Sequence, residues 1–316
     1  MNFPSIPFLQ KVYAKRFSFF RAQLQKYPWP KPTCRSIGRI VFNRLCLINI
    51  GVLSLLTGNA QFYYTDIVLA SRNTEQLKLY KANQVREIKL ISYEATGERS
   101  ENFAGEVSVD AAYSKTTTYT SAPASGASWL TTFYLPDGKP VKSVDSSAEN
   151  VHTSTYTYNE NGMLTSAHSI SATAKGKDQQ SESHIWLYDA HNKPQKMLWI
   201  KNGNDTSIVQ FKTDETGNVT EEEVFYKGSS KNTTYYYYDK ENRMTDIVRY
   251  NDRLKKLMPD NIFEYNDRGG ISQMISVQNG SDYLIWKYEY NDKGLRIREL
   301  CYNKQKQLLG RIEYQY

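Results

Sequence analysis

The sequence predicts an all-β chain: an antiparallel meander of hairpin repeats of about 25 residues, forming one long curved sheet or open shell. Three observations predict it. An aromatic anchor recurs at Tyr134, Tyr158, Tyr188, Tyr238, Tyr265, Tyr290 and Tyr316, with Thr213 filling the remaining place in the series. A turn former stands four residues after each internal anchor: Gly138, Gly162, Asn192, Gly217, Asn242, Gly269 and Gly294. Tyrosine, which suits pleated and half-wet strands, outnumbers phenylalanine by 25 to 12.

Residues 1–60 stand apart from this pattern. They hold nine of the 40 basic residues and no Asp or Glu, which leaves 31 basic against 33 acidic residues in 61–316. The net charge of +7 therefore belongs to the leader, and the rest lacks the basic excess of a nucleic-acid surface. Arg39 and Arg44 precede the apolar run LCLINIGVLSLL, which ends in small and polar residues at TGNAQ. That is the layout of a signal peptide over 41–60 with cleavage after Ala60, and the apolar core is too short for a membrane-spanning helix. Residues 1–40 read as a basic prefix, either a misassigned start or a disordered leader; a mitochondrial transit peptide is the competing reading. Of three cysteines only Cys301 follows residue 60, so the mature chain is expected to hold no intrachain disulfide.

Residues 61–128 are less regular and are expected to form an N-terminal cap. Leu77, Tyr80 and Val85 suit a short helix over 74–85, Val85–Tyr93 a strand, and 111–128 an exposed strand and loop. Residues 129–316 carry the repeats. An aromatic or apolar partner stands two places before nearly every anchor, as at Tyr156, Trp186, Phe211, Tyr236, Phe263, Tyr288 and Tyr314. Residues two apart share a sheet face, so the pair lies on one side. Asp or Asn after the anchor opens a turn, and the Gly or Asn three places later supplies positive φ. The residue twelve after the anchor is Ile170, Ile200, Phe225, Tyr250, Val277 or Tyr302, and Leu198, Val248, Ile275 and Leu300 stand two before. This period of two predicts a second strand with the same buried face. The connections between repeats are polar and variable, and are expected to line one edge as a binding row.

The stretches YTYNENGMLTS, YYYYDKENRMTDI, FEYNDRGGISQM and YEYNDKGLRIREL resemble the YD repeats of Rhs-type proteins over residues 130–316. The resemblance implies an extracytoplasmic β-repeat shell. The period is longer than the usual unit, Thr213 interrupts it, and no Rhs core or toxin segment is recognisable. WKYEYNDKGLRIRELCYNK is also similar to hairpin repeats of the MORN type, and the Ala60–Gln61 junction resembles those of exported proteins of Bacteroides-type bacteria.

No sequence pattern supports catalysis. His152, His168, His184 and His191 do not follow the repeat period, and no metal site or cofactor is expected. Glu221, Glu222, Glu223 and Asp214 fit a strand's solvent face beside a turn better than an acid–base pair. The candidates for binding are Trp186, Trp199 and Trp286, the largest stacking surfaces, with Tyr235 and Tyr237 on the otherwise polar face; the alternative is an aromatic ladder that supplies the core. The leading expectation is an exported, non-catalytic β-repeat protein, periplasmic or at the cell surface, that binds a glycan or protein. The alternatives are an outer-membrane β-barrel and an Rhs-related toxin-delivery or immunity accessory. Charges at Glu221, Glu223, Asp246, Arg296 and Arg298 share the parity of the apolar positions and weigh against the barrel.

Overall fold

The computed structural model describes residues 62–174, 176, 179–278 and 282–316, so the expected basic prefix, signal peptide and cleavage site lie outside the described residues. Among the described residues one helix, α1 (Thr65–Ala82), precedes eighteen strands. The first three are β1 (Glu87–Glu94), β2 (Ala104–Val109) and β3 (Lys115–Ala122). The repeat hairpins follow: β4 (Gly126–Tyr134) with β5 (Pro140–Ser147), β6 (Asn150–Tyr158) with β7 (Leu164–Thr173), β8 (Gln180–Tyr188) with β9 (Pro194–Lys201), and β10 (Asp205–Thr213) with β11 (Val219–Tyr226). Then come β12 (Ser229–Tyr238) with β13 (Met244–Asn251), β14 (Lys256–Tyr265) with β15 (Ile271–Gln278), β16 (Asp282–Tyr290) with β17 (Arg296–Asn303), and β18 (Leu308–Gln315).

Every strand pairs antiparallel with its sequence neighbours, as the repeats predict, but the sheet does not stay open. β18 pairs with β1, from Lys89 opposite Gln315 to Glu94 opposite Gly310, and closes the meander into an 18-stranded barrel. Closure satisfies the two rows of backbone groups that an open sheet would leave at its edges. Residues 61–128, expected as a cap, supply the helix, three wall strands and the start of β4.

The turns follow the sequence rule. Asp189 shows the pattern: its backbone N–H donates to the Lys193 carbonyl at 2.9 Å, and its Oδ1 accepts from the Lys193 N–H at 2.8 Å. Asn192 and Asn242 take φ of 62° and 59° at the place that Gly217 fills with φ of 95°. The ladder then skips one residue on the outgoing strand. Tyr188 is opposite Pro194, but Leu187 is opposite Lys196, and the same shift occurs in all seven repeat hairpins. This bulge reverses parity. The residues eight, ten and twelve places after an anchor therefore face away from the anchor's side, contrary to the single buried face expected from the sequence.

Six of the repeats are tied to the one before through the anchor's tyrosine hydroxyl. Tyr158, Tyr188, Tyr238, Tyr265, Tyr290 and Tyr316 donate to the carbonyls of Pro140, Leu164, Val219, Met244, Ile271 and Arg296. Each acceptor lies six residues after the preceding anchor, at the first residue past the turn. The distances run from 2.6 to 2.9 Å. The hydroxyl is what distinguishes this position from the Phe and Trp accepted two places earlier.

The connections at the other rim are shorter than the polar runs suggested. Residues 202–204 join β9 to β10, and Lys227–Gly228 alone, with φ of 48° and 76°, join β11 to β12. Two consecutive positive φ values make the tight hairpin turn, and the flanking Ser, Lys and Asn side chains belong to the strands. No extended row of loops projects from this rim among these connections.

Candidate functional site

The inner wall carries the aromatic pairs, and α1 packs on them inside the barrel. Trp186, Phe211, Tyr236, Phe263 and Trp286 form one buried cluster with Met197, Met274 and Cys301, joined by Phe62, Tyr63, Tyr64, Ile67 and Val68 from the helix and its entry. A second cluster, centred on Ile88, Leu90 and Ile312, receives Leu79 and Tyr80 from the helix's far end.

Polar side chains of the wall fix the helix in place. Glu222 is fully buried and accepts from the Tyr63 N–H at 3.2 Å, the Tyr64 N–H at 2.9 Å and the Tyr236 hydroxyl at 2.8 Å. Tyr64, the residue before the helix, makes no capping bond through its own side chain, so a wall carboxylate takes up backbone donors there, where the helix dipole favours an anion. Its neighbours Glu221 and Glu223 face outward as expected, and Lys212 pairs with Glu221 at 2.6 Å. The solvent-face reading of Glu222 is thus corrected: the bulge turns this one carboxylate of the three inward. His184 forms the second clamp, with Nδ1 2.5 Å from Asp66 of the helix and Nε2 2.8 Å from Glu182. Arg249 lies over the Phe62 ring at 5.0 Å and is held by Asp260, and Arg72 lies over Phe263 at 5.6 Å. Burial lowers the Arg72 pKa from its ordinary value.

Sequence reasoning missed these clamps. The only signal for Glu222 was its place nine residues after an anchor, which points inward once the bulge is counted. His184 stands four residues before its anchor, on the inward parity of the aromatic pair.

The outer wall is apolar at many of the positions ten and twelve after an anchor. Ile170, Leu198, Ile200, Phe225, Tyr250, Ile275, Val277, Leu300 and Tyr302 face outward, and Ile185, Leu187 and Ile208 join them from the incoming strands. Leu187 and Tyr250 are 43% and 52% exposed. Val248, Ile262 and Ile285 point the same way and are buried. Charge on this face gathers in the row beside the anchor turns, at Lys142, Lys196, Lys212, Glu221, Asp246, Glu264, Glu289 and Arg298, but Glu223, Lys287 and Arg311 stand farther along, among the apolar positions. Arg298 and Glu289 pair there at 2.8 Å. Arg296, grouped with these charges by sequence parity, instead faces inward, beside Glu299 and over the Tyr288 ring.

The aromatic binding candidates divide between the two faces. Trp186 and Trp286 are 2% and 4% exposed in the inner core, and Trp199 packs on Tyr63 with Lys201 over its ring. Tyr235 and Tyr237 face outward, opposite Val248 and Asp246, within the apolar and charged rows just described. The four histidines do not converge, and no group of His, Cys, Asp and Glu suited to a metal occurs among the described residues. No helix among them is long and apolar enough to cross a membrane.

The described residues thus form a closed antiparallel β-barrel of hairpin repeats that holds α1 inside. No protein family matches the sequence, and no curated protein matches it. Among solved structures, the chain is similar to the TcdB2–TccC3–Cdc42 complex, at 14% identity and a TM-score of 0.31, over 67% of this chain and 12% of that one. It is also similar to porin-like proteins from Bacteroides uniformis and Bacteroides vulgatus. Both are 11% identical over 72% of this chain, with TM-scores of 0.34 and 0.24 and coverage of 96% and 97% of those chains. The chain spans about one eighth of the toxin component's length, and likeness at these scores carries no statement about activity.

Proposed function

We propose that this chain is a β-barrel inserted in the bacterial outer membrane, with α1 as a plug of its lumen. The observation that carries the reading is the outward apolar side chains on the successive strands β8 to β17 of a closed, even-numbered antiparallel barrel. A water-exposed wall rarely presents apolar residues in such continuous rows. The placement of charge supports the same reading. The charged row lies against the anchor turns, where the membrane–water boundary would fall and a charge costs about 0–1 kcal/mol, against 2–4 kcal/mol at mid-bilayer. Three charges stand within the apolar rows: Lys287 lies over the Tyr302 ring at 5.6 Å, so its stem covers apolar surface, Arg311 pairs with Glu313 at 3.0 Å, and Glu223 weighs against burial in lipid at its position. The proposal assigns the chain no catalysis and no cofactor.

Fractionation of cells producing the full chain tests this. The wild type is expected in the membrane fraction, resistant to carbonate and released by detergent. Leu198→Lys and Ile275→Lys are expected to lower the inserted fraction, whereas Lys196→Glu in the boundary row leaves it unchanged. Release of the wild type as a soluble monomer by carbonate alone would refute insertion. A second reading, an exported β-repeat protein that binds a glycan or protein, is favoured by one observation: the barrel's interior is an apolar core, as in water-soluble domains. Carbonate release would support that reading.

A further inference from the structure

The helix does not fill the lumen evenly. At the anchor-turn rim a cavity of about 360 Å³ opens between α1 and the wall. Tyr64, Ile67 and Ala70 line it from the helix, and Tyr158, Leu164 and Tyr188 from the wall. The hydroxyls of Tyr158 and Tyr188 are spent on backbone carbonyls, so these two lining residues bring apolar surface and no spare hydroxyl to the cavity. The volume falls within the range of small-molecule sites.

The origin of the cavity lies in the broken repeat. Pro194, also on its wall, is the residue whose carbonyl would accept the next rung, but Thr213 stands where that tyrosine would be. Tyr64 from the helix enters the region instead, with its hydroxyl beside that of Tyr238 and its ring 5.4 Å from that of Tyr236. One threonine therefore leaves room for the helix and for the space beside it.

The mouth carries a cation. Lys139 lies at the rim with its Nζ 5.9 Å from the centre of the Tyr158 ring and bonded to Asp137, 29% of its side chain exposed. Gly162, at φ 75°, borders the same opening, and a Cβ there would stand 2.9 Å from that ammonium. An apolar chamber with a single ammonium at its mouth matches one class of ligand.

We infer that this cavity binds a single acyl chain whose anionic head group pairs with Lys139. The head would exchange with Asp137 for the ammonium, and the chain would lie along Ala70 between the two tyrosine rings. A free fatty acid and the acyl chain of a lipid share this chemistry. The inference does not depend on membrane insertion, because the site lies on the inner wall.

The test is equilibrium binding to the full-length protein, purified in a bile-salt detergent so that no straight alkyl chain competes. Decanoate is expected to bind at one site, and decan-1-ol more weakly. Lys139→Ala should weaken decanoate about tenfold, equivalent to 1.4 kcal/mol, and leave decan-1-ol unchanged. Ala70→Leu fills the chamber and should abolish both; Ser71→Leu, from the same lining, serves if the first variant melts early. Phosphatidylglycerol vesicles form the third arm: binding from vesicles but not of decanoate, lost in Ala70→Leu, assigns the chain to a lipid. The inference is overturned if neither source binds, or if the filled variants bind like the wild type. Cell fractionation is unaffected by either result, so failure here is distinct from failure of the outer-membrane reading.

Discussion

The tyrosine rungs make a claim that a single oxygen atom can test. In Tyr265→Phe the ring stays in the inner core and only the hydroxyl is lost, which removes its 2.6 Å bond to the Met244 carbonyl. A partner left unsatisfied in a buried place costs about 1–3 kcal/mol. Here the bond is part-buried, and water at the rim recovers some of the loss, so the lower half of that range applies, about 1–1.5 kcal/mol. For a barrel of this size each kcal/mol moves the melting temperature by roughly 2–4 °C. Tyr265→Phe and Tyr188→Phe are each expected to melt about 2–6 °C below the wild type.

Tyr250→Phe is the control. Tyr250 faces outward, is not a rung, and should shift melting by less than about 2 °C, since a surface change usually stays within 0.5 kcal/mol. Melting is followed by circular dichroism at one fixed scan rate, because unfolding of such barrels need not be reversible. If both rung variants melt together with Tyr250→Phe, the hydroxyl bonds add nothing and the rungs are only packing. A Tyr188→Phe/Tyr265→Phe double variant should show the sum of the two shifts, because the rungs are separate in the barrel and share no partner.

Two further outcomes follow from the same geometry. Glu222→Ala strands the Tyr63 and Tyr64 N–H groups and the Tyr236 hydroxyl, each unsatisfied buried donor costing about 1–3 kcal/mol, and hydrogen exchange should rise first at residues 62–70; unchanged protection there would mean that the carboxylate does not hold the helix. At Gly269 an added Cβ meets nothing within 4 Å, so Gly269→Ala loses only the positive-φ allowance, about 1 kcal/mol, and Gly269→Asn less, as Asn192 and Asn242 already fill that turn position; equal melting of the two variants would contradict the backbone argument.

The repeat, its turn residues and the antiparallel order were readable because each depends on neighbours within one hairpin. Asp189 and Asn192 close their turn wherever the hairpin ends up. Closure was not readable, since β1 and β18 meet across more than 200 residues and neither strand's sequence marks it as an edge or an interior strand. The face of the outgoing strands was misread for a local reason. A bulge adds one residue without changing the apolar alternation, so Leu198 and Ile200 keep their period while exchanging sides. The helix was placed too late, at 74 rather than 65, because its apolar residues meet walls on several sides of the lumen instead of forming one stripe. Glu222 was hidden within three consecutive glutamates, of which only the register singles one out.

Thr213 shows how these levels act together. As a rung it is a defect, for it has no ring to set against Pro194 and no phenol to reach the carbonyl. Yet it stands on β10, whose pairing partner β11 contributes Glu222, the carboxylate that receives the helix entry. A tyrosine at 213 would compete with Tyr64 for the space beside Tyr188 and Tyr238, and the helix could not keep its bond to Glu222 without moving. The missing rung and the buried carboxylate thus serve one end. The first makes room for the helix at this sector of the wall, and the second fixes it there. A regular array of identical repeats would have no such sector, so the break in the repeat determines where the plug docks and leaves the cavity beside it.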